Sequence, residues 1–157
     1  MGKPVKALDR WRAELAADAR KAFTWAPPMN LVQWSETIRR MDGGRAFRYS
    51  FAPYQREIAE TIHSPDVQMV AMMMASRLGK TEIVMNAIGH SIHSAPRRIL
   101  VMYPTTSQAE KWSKETRERE LFEPTPALDH MVRGGRRDGA NTILHKMFPG
   151  GLLSVFG

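Results

Sequence analysis

The run Met74-Ala75-Ser76-Arg77-Leu78-Gly79-Lys80-Thr81, set directly behind the apolar stretch Val67–Met74, limits what this chain can fold into. The apolar stretch predicts a fully buried strand. It enters a short turn ending in Gly-Lys-Thr, and Thr81 opens an amphipathic segment. That order gathers free backbone N–H groups and the positive end of a helix dipole at one point, where a triphosphate can sit. Lys80 would reach the β- and γ-phosphates, and the Thr81 hydroxyl would ligate Mg²⁺. Gly79 leaves the backbone bare where phosphates approach closest. The usual pattern opens on a further glycine, and Met74 stands in that place. The competing reading is a chance tripeptide at a helix start. Against it, strand, turn and helix all fall where phosphate binding needs them. The expected nucleotide-binding stretch is therefore Ala75, Ser76, Arg77, Leu78, Gly79, Lys80, Thr81 and Glu82.

Composition narrows the partner. The 157 residues are one domain's worth of chain, with 43% hydrophobic and 25% charged residues, as in an ordinary globular protein. A formal net charge of +7 favours a polyanionic partner once it is set beside a phosphate loop. The absence of cysteine excludes disulfides, thiol catalysis and zinc–thiolate sites. No apolar run is long enough to span a bilayer, and the basic N-terminus is not followed by a signal-type apolar core, so a cytoplasmic location with no membrane partner is expected.

The chain divides into a helical prelude with an extended arm over 1–52 and an α/β core over 53–157. In the prelude, Val5 to about Phe23 places Leu8, Trp11, Leu15 and Ala19 on one helical face. Pro27-Pro28 breaks the chain, and Asn30 is the expected N-cap of a helix through Arg40 that turns Leu31, Trp34 and Ile38 to one side. Asp42-Gly43-Gly44 is a turn, and Phe47–Phe51 is a short strand or an extended arm. In the core, Tyr54–Ile62 suits a helix buried through Ile58 and Ile62. Lys80–His93 suits another, lined by Ile83, Val84, Ala87, Ile88 and Ile92. Arg98–Tyr103 is a second buried strand, and a polar helix runs from Thr105 to about Leu121. With Val67–Met74 these make a right-handed parallel crossover. A basic loop at Arg133–Gly139 precedes two strands, Thr142–Met147 and Leu152–Phe156, paired as a hairpin about Pro149-Gly150-Gly151.

Several pieces, taken in order, resemble one family. They are Trp25-Ala26-Pro27-Pro28 with Leu31, Trp34 and an arginine-rich helix; Gly44 and the aromatic arm; Pro53-Tyr54-Gln55-Arg56-Glu57-Ile58; Gly79-Lys80-Thr81-Glu82; Asn86 and Gly89; Tyr103-Pro104-Thr105; and Phe148-Pro149-Gly150-Gly151. Together they are similar to the N-terminal part of the ATPase domain of the large terminase subunit of tailed bacteriophages, in its lambda-like GpA branch. The resemblance covers most of the chain from Trp25 onward. It implies a P-loop NTPase fold with a partial parallel sheet flanked by helices, and an ATP-driven motor that threads viral DNA into an empty capsid. The implied cofactors are ATP and Mg²⁺. The implied partners are double-stranded viral DNA, the small terminase subunit and the portal protein, with a possible homo-oligomer, in the cytoplasm of a bacterial host. By the same resemblance Tyr54 and Gln55 are candidates for adenine recognition, against readings as a core anchor and a solvated helix residue. Arg77 is a candidate catalytic group beside Lys80, an arginine supplied within the loop to stabilise charge on the transferring phosphoryl group. Some terminase families carry this arginine one position earlier, where Ser76 stands here.

The departures concern carboxylates. Such a motor needs an apolar strand ending in acidic residues, for the metal and for the attacking water. None of Glu82, Glu110, Glu115, Glu118, Glu120, Glu123, Asp129 and Asp138 closes one, and Asp66 precedes a strand instead of following it. The expectation is an N-terminal, apparently truncated piece that binds ATP weakly, hydrolyses it negligibly and tends to associate through an unpaired sheet edge. Two further readings are a helicase-like nucleic-acid-dependent ATPase fragment and a non-catalytic DNA- or subunit-binding module with a vestigial loop. His90 and His93 are expected on a helix surface. Arg45–Arg48, Arg133–Arg137 and Thr105–Ser107 are expected either at a DNA backbone or as solvated faces and caps.

Overall fold

The computed structural model describes residues 29–133 and 142–157. The expected helix over 5–23 and most of the basic loop lie outside them. Helix α1 (Leu31–Thr37) starts on a reciprocal cap: Asn30 Oδ1 accepts from Gln33 N at 2.8 Å, and Gln33 Oε1 accepts from Asn30 N at 3.2 Å. It ends earlier than its arginines suggested, and the chain folds back through the Gly43-Gly44 turn into a single bridge between Arg40 and Ala46. The arm then runs extended into a 3₁₀ turn at Tyr49–Phe51, so Phe47–Phe51 forms no strand. Tyr49 fastens the arm to α1, its hydroxyl donating to Ser35 Oγ at 3.1 Å and its backbone N–H to Glu36 Oε1 at 3.2 Å. Burial pushes the Tyr49 phenol pKa up.

Helix α2 (Tyr54–His63) packs through Gln55 and Ala59, with Ile58 and Ile62 only half-buried. Helix α3 (Lys80–His93) occupies its expected span, but its inner face is shifted. Ile83, Met85, Asn86, Ile88, Gly89, His90 and Ile92 are buried, and Val84 is exposed. His90 therefore lies inside, not on the helix surface. The expected strand over Val67–Met74 does not form. The segment pairs with no other strand, and Met69 and Met73 stand exposed. Apolarity can drive burial, but a strand also needs a neighbouring backbone to take its hydrogen bonds, and among the described residues none pairs with this segment. Without that strand the expected parallel crossover is absent.

Parallel pairing occurs elsewhere. Strand β1 (Arg98–Met102) runs parallel to β3 (Gly151–Phe156), and β2 (His145–Phe148) runs antiparallel to β3, giving a mixed three-stranded sheet in the order β1-β3-β2. The hairpin turns on Pro149-Gly150, with Gly150 in the left-handed region at φ 82°. Central β3 buries Leu153 and Val155 completely. β1 is an edge: Ile99 and Val101 are half-buried while Leu100 and Met102 face outward, so the fully buried strand expected there is a half-exposed one. Between β1 and β2, α4 (Thr106–Lys111) starts on the Thr105 side chain and continues as a π-helical stretch, Trp112–Phe122, before α5 (Pro126–Arg133).

The main core joins α1, α3, the π-helical stretch, α5 and the sheet through Trp34, Met85, Ile88, Ile92, Trp112, Phe122, Leu128 and Leu153. A smaller cluster of Leu31, Val32, Phe47, Tyr49 and Ala59 holds α1 and the arm against α2. Helix α1 thus packs through Trp34 on the C-terminal half of α3, while Arg39 and the arm lie beside Glu82 at the end where the loop enters. Among the described residues no helix is long and apolar enough to cross a membrane.

Candidate functional site

The loop takes its shape from two residues with positive φ. Gly79 has φ 76° and costs nothing there, whereas Arg77, at φ 63°, adopts a conformation that disfavours any side chain with a Cβ. Between them the chain turns sharply enough to start α3 at Lys80. No side chain caps this helix, so its first-turn N–H groups are free to meet an anion. The Lys80 ammonium folds over the loop and donates to the Met74 and Ala75 carbonyls, each at 2.8 Å. Ala75, Ser76, Arg77, Leu78 and Thr81 are exposed, and Arg77 makes no ion pair among the described residues.

Tyr54 and Gln55 both reach this loop, but not as free groups awaiting a base. The Tyr54 hydroxyl donates to the Leu78 carbonyl at 3.1 Å, and Gln55 Nε2 donates to the same oxygen at 3.2 Å. Gln55 is buried and is no solvated helix residue, while Tyr54 is about half-exposed and is no core anchor. A Cβ at Gly79 would run into the Gln55 carboxamide, so Gly79 is required by a close approach as well as by its φ.

Glu82, in the first turn of α3, turns away from the loop toward Arg39. Arg39 is completely buried, a placement the sequence did not signal. Its Nη2 lies 3.1 Å from Glu82 Oε2, and its Nη1 donates to the Arg40 carbonyl at 3.1 Å and to the Glu120 carbonyl. Burial lowers the Arg39 pKa against the opposing pull of Glu82. Desolvation, then the charge of Glu82, raises that of Glu120.

A cavity of about 320 Å³ opens between the arm and this part of α3, lined by Met41, Arg45, Phe47, Phe51, Gln55 and Glu82 among others. Its walls combine apolar and aromatic side chains with one carboxamide, one carboxylate and two guanidinium groups, a composition suited to a planar heteroaromatic ring. The sequence assigned Arg45–Arg48 to a DNA backbone or a solvated face, and both arginines are exposed while also lining this cavity. Among the described residues no group of three or more His, Asp or Glu is placed to hold a metal ion. Thr105 acts as a helix cap, accepting from Gln108 N at 3.3 Å.

Residues 44–157 match the family described as phage terminase large subunit gpA, ATPase domain. The large terminase subunit of Escherichia phage lambda is 23% identical over 147 residues, covering 92% of this chain and 23% of that protein. The large terminase subunit of Enterobacteria phage P21 is 23% identical over 128 residues, covering 80% of this chain and 20% of that protein. The chain thus spans about a quarter or less of the length of these relatives. No solved structure matches it.

Proposed function

The chain belongs to the phage terminase large subunit gpA ATPase domain family, and on that premise we propose that it is the ATP-binding part of a motor that packages viral DNA. The observation that carries the reading is the Met74–Thr81 loop, where an uncapped helix start, a left-handed Gly79 and the Lys80 ammonium converge on one opening. The surrounding fold is then a P-loop NTPase core, with the arm as its nucleotide-side wall. The partners are double-stranded viral DNA, the small terminase subunit and the portal, in the host cytoplasm, with further copies of the motor subunit.

The residues divide the work as follows. First-turn N–H groups of α3 hold phosphate oxygens, and Lys80 exchanges the Met74 and Ala75 carbonyls for the β- and γ-phosphates. Thr81 offers its hydroxyl to Mg²⁺, which when bound with the nucleotide neutralises charge shared between the β- and γ-oxygens. Arg77, exposed at the turn, places its guanidinium where charge develops on the transferring phosphoryl group. The base enters the cavity beside Gln55, whose Oε1 accepts from an exocyclic amine while its Nε2 holds Leu78.

The reading is tested by comparing ATP with AMP in calorimetric titrations in the presence of magnesium. ATP should bind at least about tenfold more tightly, because only ATP reaches Lys80 and the helix start. Equal affinities would contradict it.

A further inference from the structure

Arg39 is the one Lys, Arg, Asp or Glu among the described residues that is completely buried, and it lies outside the loop and α3. Burying a guanidinium is costly unless it is paired and hydrogen-bonded. Three groups meet it: the Glu82 carboxylate and the Arg40 and Glu120 carbonyls, while Nε has no partner. Such an arrangement is poor as a stabilising device, since an apolar side chain would fill the volume without an orphaned N–H. Its location suggests another purpose. Glu82 follows Lys80 and Thr81 in the same helical turn, so its carboxylate lies within about one turn, roughly 5 Å of rise, of any phosphate held by the loop. A bare anion there offsets the positive end of the helix dipole and repels an incoming polyanion.

We propose that Arg39 is a positioning residue for the nucleotide: it neutralises Glu82 and turns that carboxylate away from the loop, keeping the start of α3 attractive to phosphate. The proposal rests on the nucleotide reading above. The guanidinium acts through Glu82 and touches no substrate. By bonding at once to the residue after Thr81, to its own segment and to the π-helical stretch, it fixes the loop helix against the prelude. Arg39 also faces Glu120, whose carboxyl group shares the field of Glu82, so losing Arg39 removes the buried cation whose field both carboxylates share.

The test is a calorimetric titration of the full 157-residue chain with magnesium and ATP, using wild type, Arg39→Gln, Glu82→Gln, the double variant Arg39→Gln/Glu82→Gln, and Arg39→Lys. Arg39→Gln should weaken ATP binding by about tenfold or more, as an uncompensated carboxylate near phosphate requires. Adding Glu82→Gln should recover at least about threefold of the affinity that Arg39→Gln loses, because the repulsive charge is gone. A residue that merely scaffolds the fold would not be rescued by losing a second hydrogen-bond partner. A double variant as weak as Arg39→Gln therefore overturns the proposal, and so does an Arg39→Gln chain with unchanged affinity. Should Arg39→Gln fail to fold, Arg39→Lys decides: with the charge kept, affinity should stay within about threefold, and a folded Arg39→Lys chain about tenfold weaker contradicts the charge role. A wild-type chain that binds no ATP overturns the nucleotide reading and this role with it. A wild-type chain that binds while the double variant is not rescued overturns this role alone.

Discussion

Gln55 donates its carboxamide N–H to the Leu78 carbonyl at 3.2 Å, lying directly against Gly79. One helix before the loop thereby holds the loop's last turn from beneath, and Tyr54 adds a second donor to the same oxygen. Gln55 also stands in the wall of the cavity beside the arm. Gln55 thus links where a base would lie to where phosphates would lie.

Gly79→Ala should be among the most damaging single substitutions at the loop. The new methyl meets the Gln55 carboxamide and must also adopt φ near 76°. A loss of about 1–3 kcal/mol in folding stability is expected from strain at such a position, with nucleotide binding lost as well. Gln55→Ala should restore part of the stability of Gly79→Ala by removing the obstacle, and a thermal unfolding cycle on the two substitutions measures this. Strict additivity would contradict the contact.

Arg77→Gly separates strain from chemistry. Glycine accepts φ 63° freely, so folding stability should rise by about 1 kcal/mol. In a turnover-competent form of the protein, the same change, like Arg77→Ala, should lower ATP hydrolysis by at least about a hundredfold while changing nucleotide affinity far less. Equal losses in turnover and affinity would sink the transition-state role.

Gly89 leaves room for Trp34. A Cβ there would collide with the far edge of the indole ring, which is completely buried. Gly89→Ala should destabilise the fold by about 1–3 kcal/mol through overpacking, even though alanine favours a helix by about 1 kcal/mol. Denaturant unfolding measures the balance, and a stabilised variant would show that the indole can move aside.

Acid sensitivity should arise at His90. Burial pushes its pKa down, the 2.7 Å contact between its Nε2 and the Met29 carbonyl opposes this, and the fields of His63, Arg97 and His93 add to the depression. His93 is lowered by burial too. As the pH falls the unfolded chain takes up these protons first. Stability is therefore full above about pH 6.5 and declines below it, toward the depressed native values. Urea unfolding followed from about pH 8 to about pH 5 should show this decline, and His90→Gln should flatten it. An unchanged slope in His90→Gln would contradict the assignment.

Local features were the legible ones. Asn30 as a cap, the span Lys80–His93 and the hairpin about Pro149-Gly150 rest on short-range chemistry, and each stands close to its expected place. Val67–Met74 failed because its apolarity says nothing about whether another backbone lies beside it. Val84 and His90 exchanged inside for outside because both flanks of α3 are apolar enough to pack, and Trp34 decided between them. Arg39 could not be foreseen. An arginine beside a second arginine at a helix end reads as solvated, and its burial depends on Glu82 and on the Glu120 carbonyl, 43 and 81 residues away along the chain. The cavity is likewise a product of the arm folding back on α2 and α3, a long-range event with no local signature.

The central claim, that the Met74–Thr81 loop holds the phosphates of ATP, is tested most directly by titrating wild type and Lys80→Ala with ATP and magnesium. Among the described residues Lys80 bonds only to loop carbonyls, so its removal should leave folding stability within about 1 kcal/mol while affinity falls by about tenfold or more. A Lys80→Ala chain that binds ATP as tightly as wild type, or a wild-type chain that binds none, would contradict the account.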